Sequence, residues 1–121
     1  MIDIATKKVV EMNGIPSERV SYLWGSWEQL AEDQSLKDKV DIILMCETLY
    51  NKDYFDSLAN IINHCLKKSS QSVVILGTKT FYYGFSGGYY DFEKYIKANH
   101  SKYGLRCDTV LKINDLKSIE R

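Results

Sequence analysis

Two apolar runs limit what this 121-residue chain can fold into. Val40-Asp41-Ile42-Ile43-Leu44-Met45-Cys46 is nearly continuous in apolar residues, and residues 72–77 form a second such run. Runs of this kind suit strands covered on both faces, as in a parallel sheet. Between them, Asn51 can cap a helix whose Phe55, Leu58, Ala59, Ile62, Cys65 and Leu66 make an unbroken apolar stripe ending at Lys67 and Lys68. Strand, helix and strand in that order make a crossover unit.

The flanking segments extend the alternation. Ile2, Ala5, Val9 and Met12 recur at helical spacing, with Gly14 and Pro16 as the stop. Residues 20–23 read as a short strand. Ser26 and Gln29 have the spacing of a capping box, which predicts a short helix through Leu30. After the second apolar run, a Gly- and Tyr-rich segment, residues 78–88, leads into an amphipathic helix with Tyr89, Phe92 and Ile96 facing inward. Residues 105–113 read as a final strand and residues 118–121 as the start of another. The order predicts an α/β fold with mostly parallel central strands and right-handed crossovers.

Composition bounds the function. With 45% hydrophobic and 26% charged residues, the chain can bury a core, which excludes disordered and low-complexity readings. No apolar run approaches the roughly 20 residues of a membrane span, and Asp3 stands where a signal peptide would carry basic charge. The expectation is a soluble protein of the cytoplasm or nucleus, with no membrane partner. Cys46, Cys65 and Cys107 lie far apart, without a C-x-x-C pair and with only His64 and His100 beside them, so neither a zinc site nor a disulfide framework is expected. Acidic and basic residues balance at 16 each, yet residues 1–60 hold eleven acidic and six basic side chains and residues 61–121 hold five and ten. The Lys67, Lys68, Lys79, Lys94, Lys97 and Lys102 series is a diluted basic stripe, read as solvated surface without direct nucleic-acid binding.

In α/β folds, ligands bind beyond the carboxyl ends of the strands. Three segments fall there: residues 24–27, 46–51 and 78–88. Gly25 lets a ligand approach its backbone, and Trp24 or Trp27 can lie against a planar ring; a tight turn with core tryptophans explains the same residues. In Cys46-Glu47-Thr48-Leu49-Tyr50-Asn51, capping and packing account for Thr48, Asn51 and Tyr50. A carboxylate at Glu47, following a buried strand, calls for a hydrogen-bond partner or a ligand. Metal binding would need further acidic or imidazole ligands, and none is near. The third segment, Thr78-Lys79-Thr80-Phe81-Tyr82-Tyr83-Gly84-Phe85-Ser86-Gly87-Gly88, lacks the G-x-x-x-x-G-K-[ST] phosphate cradle and reads as a shaped, mobile, substrate-facing loop. No G-x-S-x-G motif supports a serine hydrolase.

G-S-W after one strand, D-I-I-L-M-C-E-T-L-Y-N at the next and G-T-K-T-F-Y-Y-G-F-S-G-G-Y-Y-D-F after the third resemble the seven-β-strand, S-adenosylmethionine-dependent protein methyltransferases, specifically the histidine protein methyltransferase group. The resemblance implies a partial Rossmann-like class I sheet, mostly parallel with an antiparallel last strand. It places Gly25, Ser26 and Trp27 near the adenine end of the cofactor, and Cys46 where the family has a small serine. Glu47 and Tyr50, with Thr48, match the methyl-transfer end. Lys79, Tyr82, Tyr83, Gly84, Gly87 and Gly88 match the loop that shapes the substrate side. The family's first strand, glycine-rich turn and ribose-binding acidic residue would all precede Ile2. The expectation is that residues 1–121 form roughly the C-terminal half of a catalytic domain, inactive alone, with one sheet edge unpaired and an apolar face uncovered. The implied cofactor is S-adenosylmethionine without a metal, and the implied partner a protein substrate with an acceptor histidine, of the ribosomal or translation-associated kind. Competing expectations are a non-catalytic scaffold and a lysine methyltransferase of the same architecture.

Overall fold

The computed structural model describes residues 5–110. Its centre is a β-α-β unit. Strand β1 (Ile42–Cys46) and strand β2 (Val73–Gly77) pair in parallel, in a register that sets Ile42 against Val73 and Cys46 against Gly77. The intervening helix packs its apolar stripe inward, burying Phe55, Leu58, Ala59, Ile62 and Cys65. The stripe is the predicted one except that Leu66 ends the helix and is half-buried. Asn51 caps as expected, but it caps a 3₁₀ turn, Lys52–Tyr54, by accepting the Asp53 N–H at 3.0 Å.

In chain order, the helices are α1 (Lys7–Met12), α2 (Trp27–Glu32), α3 (Phe55–Cys65), α4 (Tyr89–Ala98) and α5 (His100–Tyr103). Helix α2 starts on the predicted capping box: Ser26 Oγ accepts the Gln29 N–H at 3.2 Å and Gln29 Oε1 accepts the Ser26 N–H at 3.0 Å. Helix α5 ends at Gly104, whose φ of 66° is the left-handed value that favours glycine. The core joins Leu49, Phe55, Leu58, Ala59, Phe92, Ile96 and Tyr103, with Met45 and Leu76 packed against it from the sheet. Phe55 and Phe92 meet edge to face at 5.1 Å, tying α3 to α4.

Three expectations change. The strands were expected to be covered on both faces, but only one face is packed: Ile43, Met45, Val74 and Leu76 are half-buried, whereas Ile42, Leu44, Val73 and Ile75 are exposed. The uncovered apolar face was expected of a half sheet, and α3 can cover only the side on which it crosses. Residues 20–23 are not a strand; Val20 has extended backbone angles, but no ladder partner lies among the described residues, and extended geometry without a partner is not a sheet. Residues 105–110 are likewise without strand structure, while residues 111–113 and 118–121 lie outside the described residues, as does Ile2. Within α1, Val9 and Met12 are exposed.

One polar cluster pins α4 and α5 to the start of α3. Asp56 Oδ1 accepts from Tyr95 OH at 2.9 Å, Tyr103 OH at 2.5 Å and Lys102 Nζ at 2.8 Å, and Asp56 Oδ2 accepts from Asn60 at 2.9 Å. These donors, Lys102 foremost, hold the Asp56 carboxyl well below the usual carboxylate range. Burial and the neighbouring carboxylate push the Tyr95 and Tyr103 hydroxyls up.

Candidate functional site at the strand ends

The ladder outlasts β1 by one residue, because the Glu47 N–H donates to Gly77 O at 2.9 Å. There the chain turns sharply: Glu47 has φ 54°, in the left-handed region that non-glycine residues rarely enter. Strained backbone of this kind clusters at functional sites. The Glu47 carboxylate lies 3.6 Å from Lys79 Nζ, and both side chains are substantially exposed, so the pair contributes at most about 1 kcal/mol. Lys79 Nζ also sits 5.3 Å over the Tyr82 ring, and the Tyr82 hydroxyl meets Thr78 Oγ1 at 2.9 Å.

Beyond Glu47, the buried Thr48 hydroxyl has no hydrogen-bond partner among the described residues, and Leu49 is fully buried and anchors the segment. Tyr50 is left partly exposed and meets Tyr54 edge-on at 6.1 Å and Phe85 at 5.8 Å. Tyr54 in turn meets Trp27 at 5.7 Å. A chain of edge contacts, Trp27–Tyr54–Tyr50–Phe85, thus joins the three segments predicted to share this edge.

Within the first segment, the Ser26 hydroxyl and N–H are both taken up by the capping box. Gly25 has φ 148°, and a Cβ there would come within 3.2 Å of Gln29 Oε1. Trp24 projects into solvent, 79% exposed, whereas Trp27 is half-buried against the core. Cys46 is exposed at the end of β1, on the uncovered face.

The glycine-rich loop divides in two. Tyr83 is 87% exposed and meets Phe81 edge-on at 5.0 Å, and Gly84, with φ 75°, has open space around it. Gly87 and Gly88 are buried: a Cβ on Gly87 would overlap the Leu49 carbonyl, and one on Gly88 the Thr80 carbonyl. A groove of about 1350 Å³ runs beside this loop, lined by Met45, Leu76, Tyr82, Tyr89, Phe92 and Leu105 among others.

Sequence reasoning did not single out Tyr54, Phe85, Ser86 or Asp56. The first two link the aromatic chain, and Ser86 bonds across to residues 51 and 52. Only the unusual density of aromatics and glycines hinted at these contacts, since the side-chain partners of Phe85 and Ser86 lie more than thirty residues away. His64 Nε2 pairs with the Asp33 carbonyl at 2.8 Å, away from the strand ends, and Cys65 and Cys107 pack in or against the core. No group of three or more His, Cys, Asp or Glu residues among those described could hold a metal ion, and no described helix is long and apolar enough to cross a membrane.

Comparison with known proteins gives this arrangement a family. A lysine methyltransferase family profile matches residues 1–83. The histidine protein methyltransferase 1 homolog of Dictyostelium discoideum is 39% identical over 93 residues, covering 76% of this chain and 29% of that protein. The homologs of the same name from Rattus norvegicus and Mus musculus are 32% and 34% identical, each over 74 residues, 61% of this chain and 20% of theirs. The chain therefore spans between a fifth and under a third of the length of these relatives. No solved structure matches it significantly. With more than half of its residues matched by the profile, the chain belongs to this lysine methyltransferase family, and it is similar to proteins named as histidine methyltransferases.

Proposed function

We propose that this chain forms the strand-end face of an S-adenosylmethionine-dependent protein methyltransferase whose acceptor is a histidine side chain, on a protein of the ribosomal or translation-associated kind. One observation carries the reading: Glu47 is held in left-handed backbone at the carboxyl end of β1, next to an unpartnered buried hydroxyl and a half-exposed phenol. The curated relatives named for histidine methylation supply the acceptor class.

The residues present fit one side of the cofactor. The exposed Trp24 indole, the Gly25 backbone, Cys46 and the unpartnered Thr48 hydroxyl are the groups that would hold it. Ser26 and Trp27 would support that side through the helix cap and the aromatic chain. S-adenosylmethionine supplies an electrophilic methyl group when bound.

The chain's own residues then have an orienting task. A histidine with its ordinary pKa of about 6.5 is mostly neutral at physiological pH, so no strong base has to act first. Glu47 accepts the imidazole N–H, which fixes the tautomer and leaves the lone pair on the other nitrogen free. Tyr50 restricts the ring's tilt, and alignment of this kind can supply several kcal/mol. Lys79, Tyr82, Tyr83 and Gly84 form the acceptor side, with Gly87 and Gly88 fixing the loop behind them.

The test is a methylation assay on the full-length protein, with the modified side chain identified by mass spectrometry. A methylated histidine that disappears in Glu47→Ala supports the reading; unchanged turnover in that variant removes the role of Glu47. The family profile is described for lysine, which favours a second reading, and a methyl-lysine product would establish it. Titrating the same protein with S-adenosylhomocysteine separates both from a non-catalytic scaffold, for which no micromolar complex is expected.

A further inference from the structure

The glycine-rich loop and the segment after β1 are joined contact for contact, though more than thirty residues separate them. Ser86 Oγ accepts the Lys52 N–H and donates to Asn51 Oδ1, each at 3.2 Å. The Gly87 N–H donates to the Tyr50 carbonyl at 3.0 Å, Phe85 meets the Tyr50 ring edge-on at 5.8 Å, and Asp91 pairs with Lys52 at 3.1 Å. Tyr50 is therefore gripped through its carbonyl, its ring and the next two residues, all from residues 85–91. The Lys52 N–H and the Asn51 side chain, which also holds the 3₁₀ turn, both depend on one hydroxyl.

We infer that Ser86 is a positioning residue: it clamps residues 50–52 to the loop and so sets where the Tyr50 ring stands at the strand ends. This deepens the functional reading above and rests on it for the consequence in catalysis. The geometric core of the inference stands independently. Ser86 is exposed, so Ser86→Ala removes two hydrogen bonds without opening a cavity. An exposed hydroxyl is worth little to global stability. Its effect is local, on the orientation of the Tyr50 ring.

The experiment compares Ser86→Ala and Ser86→Thr with the parent in the full-length protein. Amide exchange at Lys52 and the nuclear Overhauser contact between the Tyr50 and Phe85 rings are read beside the thermal midpoint. In Ser86→Ala, Lys52 protection should fall roughly tenfold and the ring contact should weaken, with the midpoint unmoved; Ser86→Thr restores both. The methyl-transfer assay should show kcat falling more than KM rises. Unchanged Lys52 protection and ring contact overturn the inference, as does a midpoint that drops in step with them, since that marks a general stabilising role. If the parent transfers no methyl group while the exchange and ring-contact results stand, the functional reading fails and the clamp survives.

Discussion

Gly87 donates its backbone N–H to the Tyr50 carbonyl at 3.0 Å, an approach so close that a Cβ on Gly87 would overlap the preceding Leu49 carbonyl. The glycine run in the aromatic loop is thus explained residue by residue. Gly87 admits the backbone of residues 49–51, Gly88 admits Thr80, and Gly84 supplies only a positive φ.

Replacing these glycines separates the causes. Gly87→Ala forces backbone apart and should destabilise the protein by roughly 2–4 kcal/mol. Gly84→Ala meets nothing within 4 Å, so it bears only the left-handed penalty of about 1 kcal/mol. Urea denaturation of the two variants checks this, and equal losses would show that steric overlap does not govern the loop.

The Asp56 cluster makes pH-dependent contributions to stability on both the acid and the alkaline side. Its carboxyl titrates lower in the folded chain than unfolded, so its contribution is present above the unfolded pKa of about 3.9 and is lost as pH falls through the depressed folded value. Tyr95 and Tyr103 titrate higher when folded, so their contribution is present below an unfolded pKa of about 10 and is lost as pH rises beyond it. Asp56→Asn should flatten the acid flank and lower neutral-pH stability by about 1 kcal/mol, discounted for the exposure of this carboxylate. Melting curves between pH 3 and 11 of parent and variant, at roughly even steps, give the measurement.

The β-α-β unit was legible because its signal is periodic: apolar runs at 42–46 and 73–77 and a stripe from Phe55 to Cys65 leave little freedom. The Ser26–Gln29 cap was equally plain, being local. Residues 20–23 misled because strand propensity does not report a pairing partner. The two-sided burial expected of β1 failed for a related reason: an apolar run states that both faces are suited to burial, not that both are covered. At the candidate site, Glu47 stood out by its chemistry. Its left-handed φ and the Ser86 clamp are consequences of long-range packing that no window of sequence contains.

The same asymmetry gives a test within a few residues of chain. Leu44 is 74% exposed on the open sheet face and Leu49 is fully buried. Leu44→Ser should change stability by no more than about 0.5 kcal/mol, whereas Leu49→Ala should remove roughly 2–5 kcal/mol through lost burial and the cavity left behind. A large loss at Leu44 would mean that the open face is covered in solution. Light scattering on the same samples would then reveal whether a second copy covers it.

Glu47 offers the sharpest opposition between stability and function. Its φ of 54° strains any residue with a Cβ, while its N–H bond to Gly77 does not depend on the side chain. Glu47→Gly therefore relieves left-handed strain worth about 1 kcal/mol, partly offset by the greater freedom of glycine in the unfolded chain. It also removes the weak, exposed pair with Lys79. The expected outcome is a variant as stable as the parent or slightly more so, with methyl transfer reduced by at least about tenfold, the pattern of a strained residue kept for its chemistry. Glu47→Ala keeps the strain and loses the carboxylate, so it should match the glycine variant in activity and fall below it in stability. Thermal denaturation and turnover of the pair decide the matter: full activity in Glu47→Gly would detach this carboxylate from catalysis, and a large loss of stability would show that the turn needs the side chain itself.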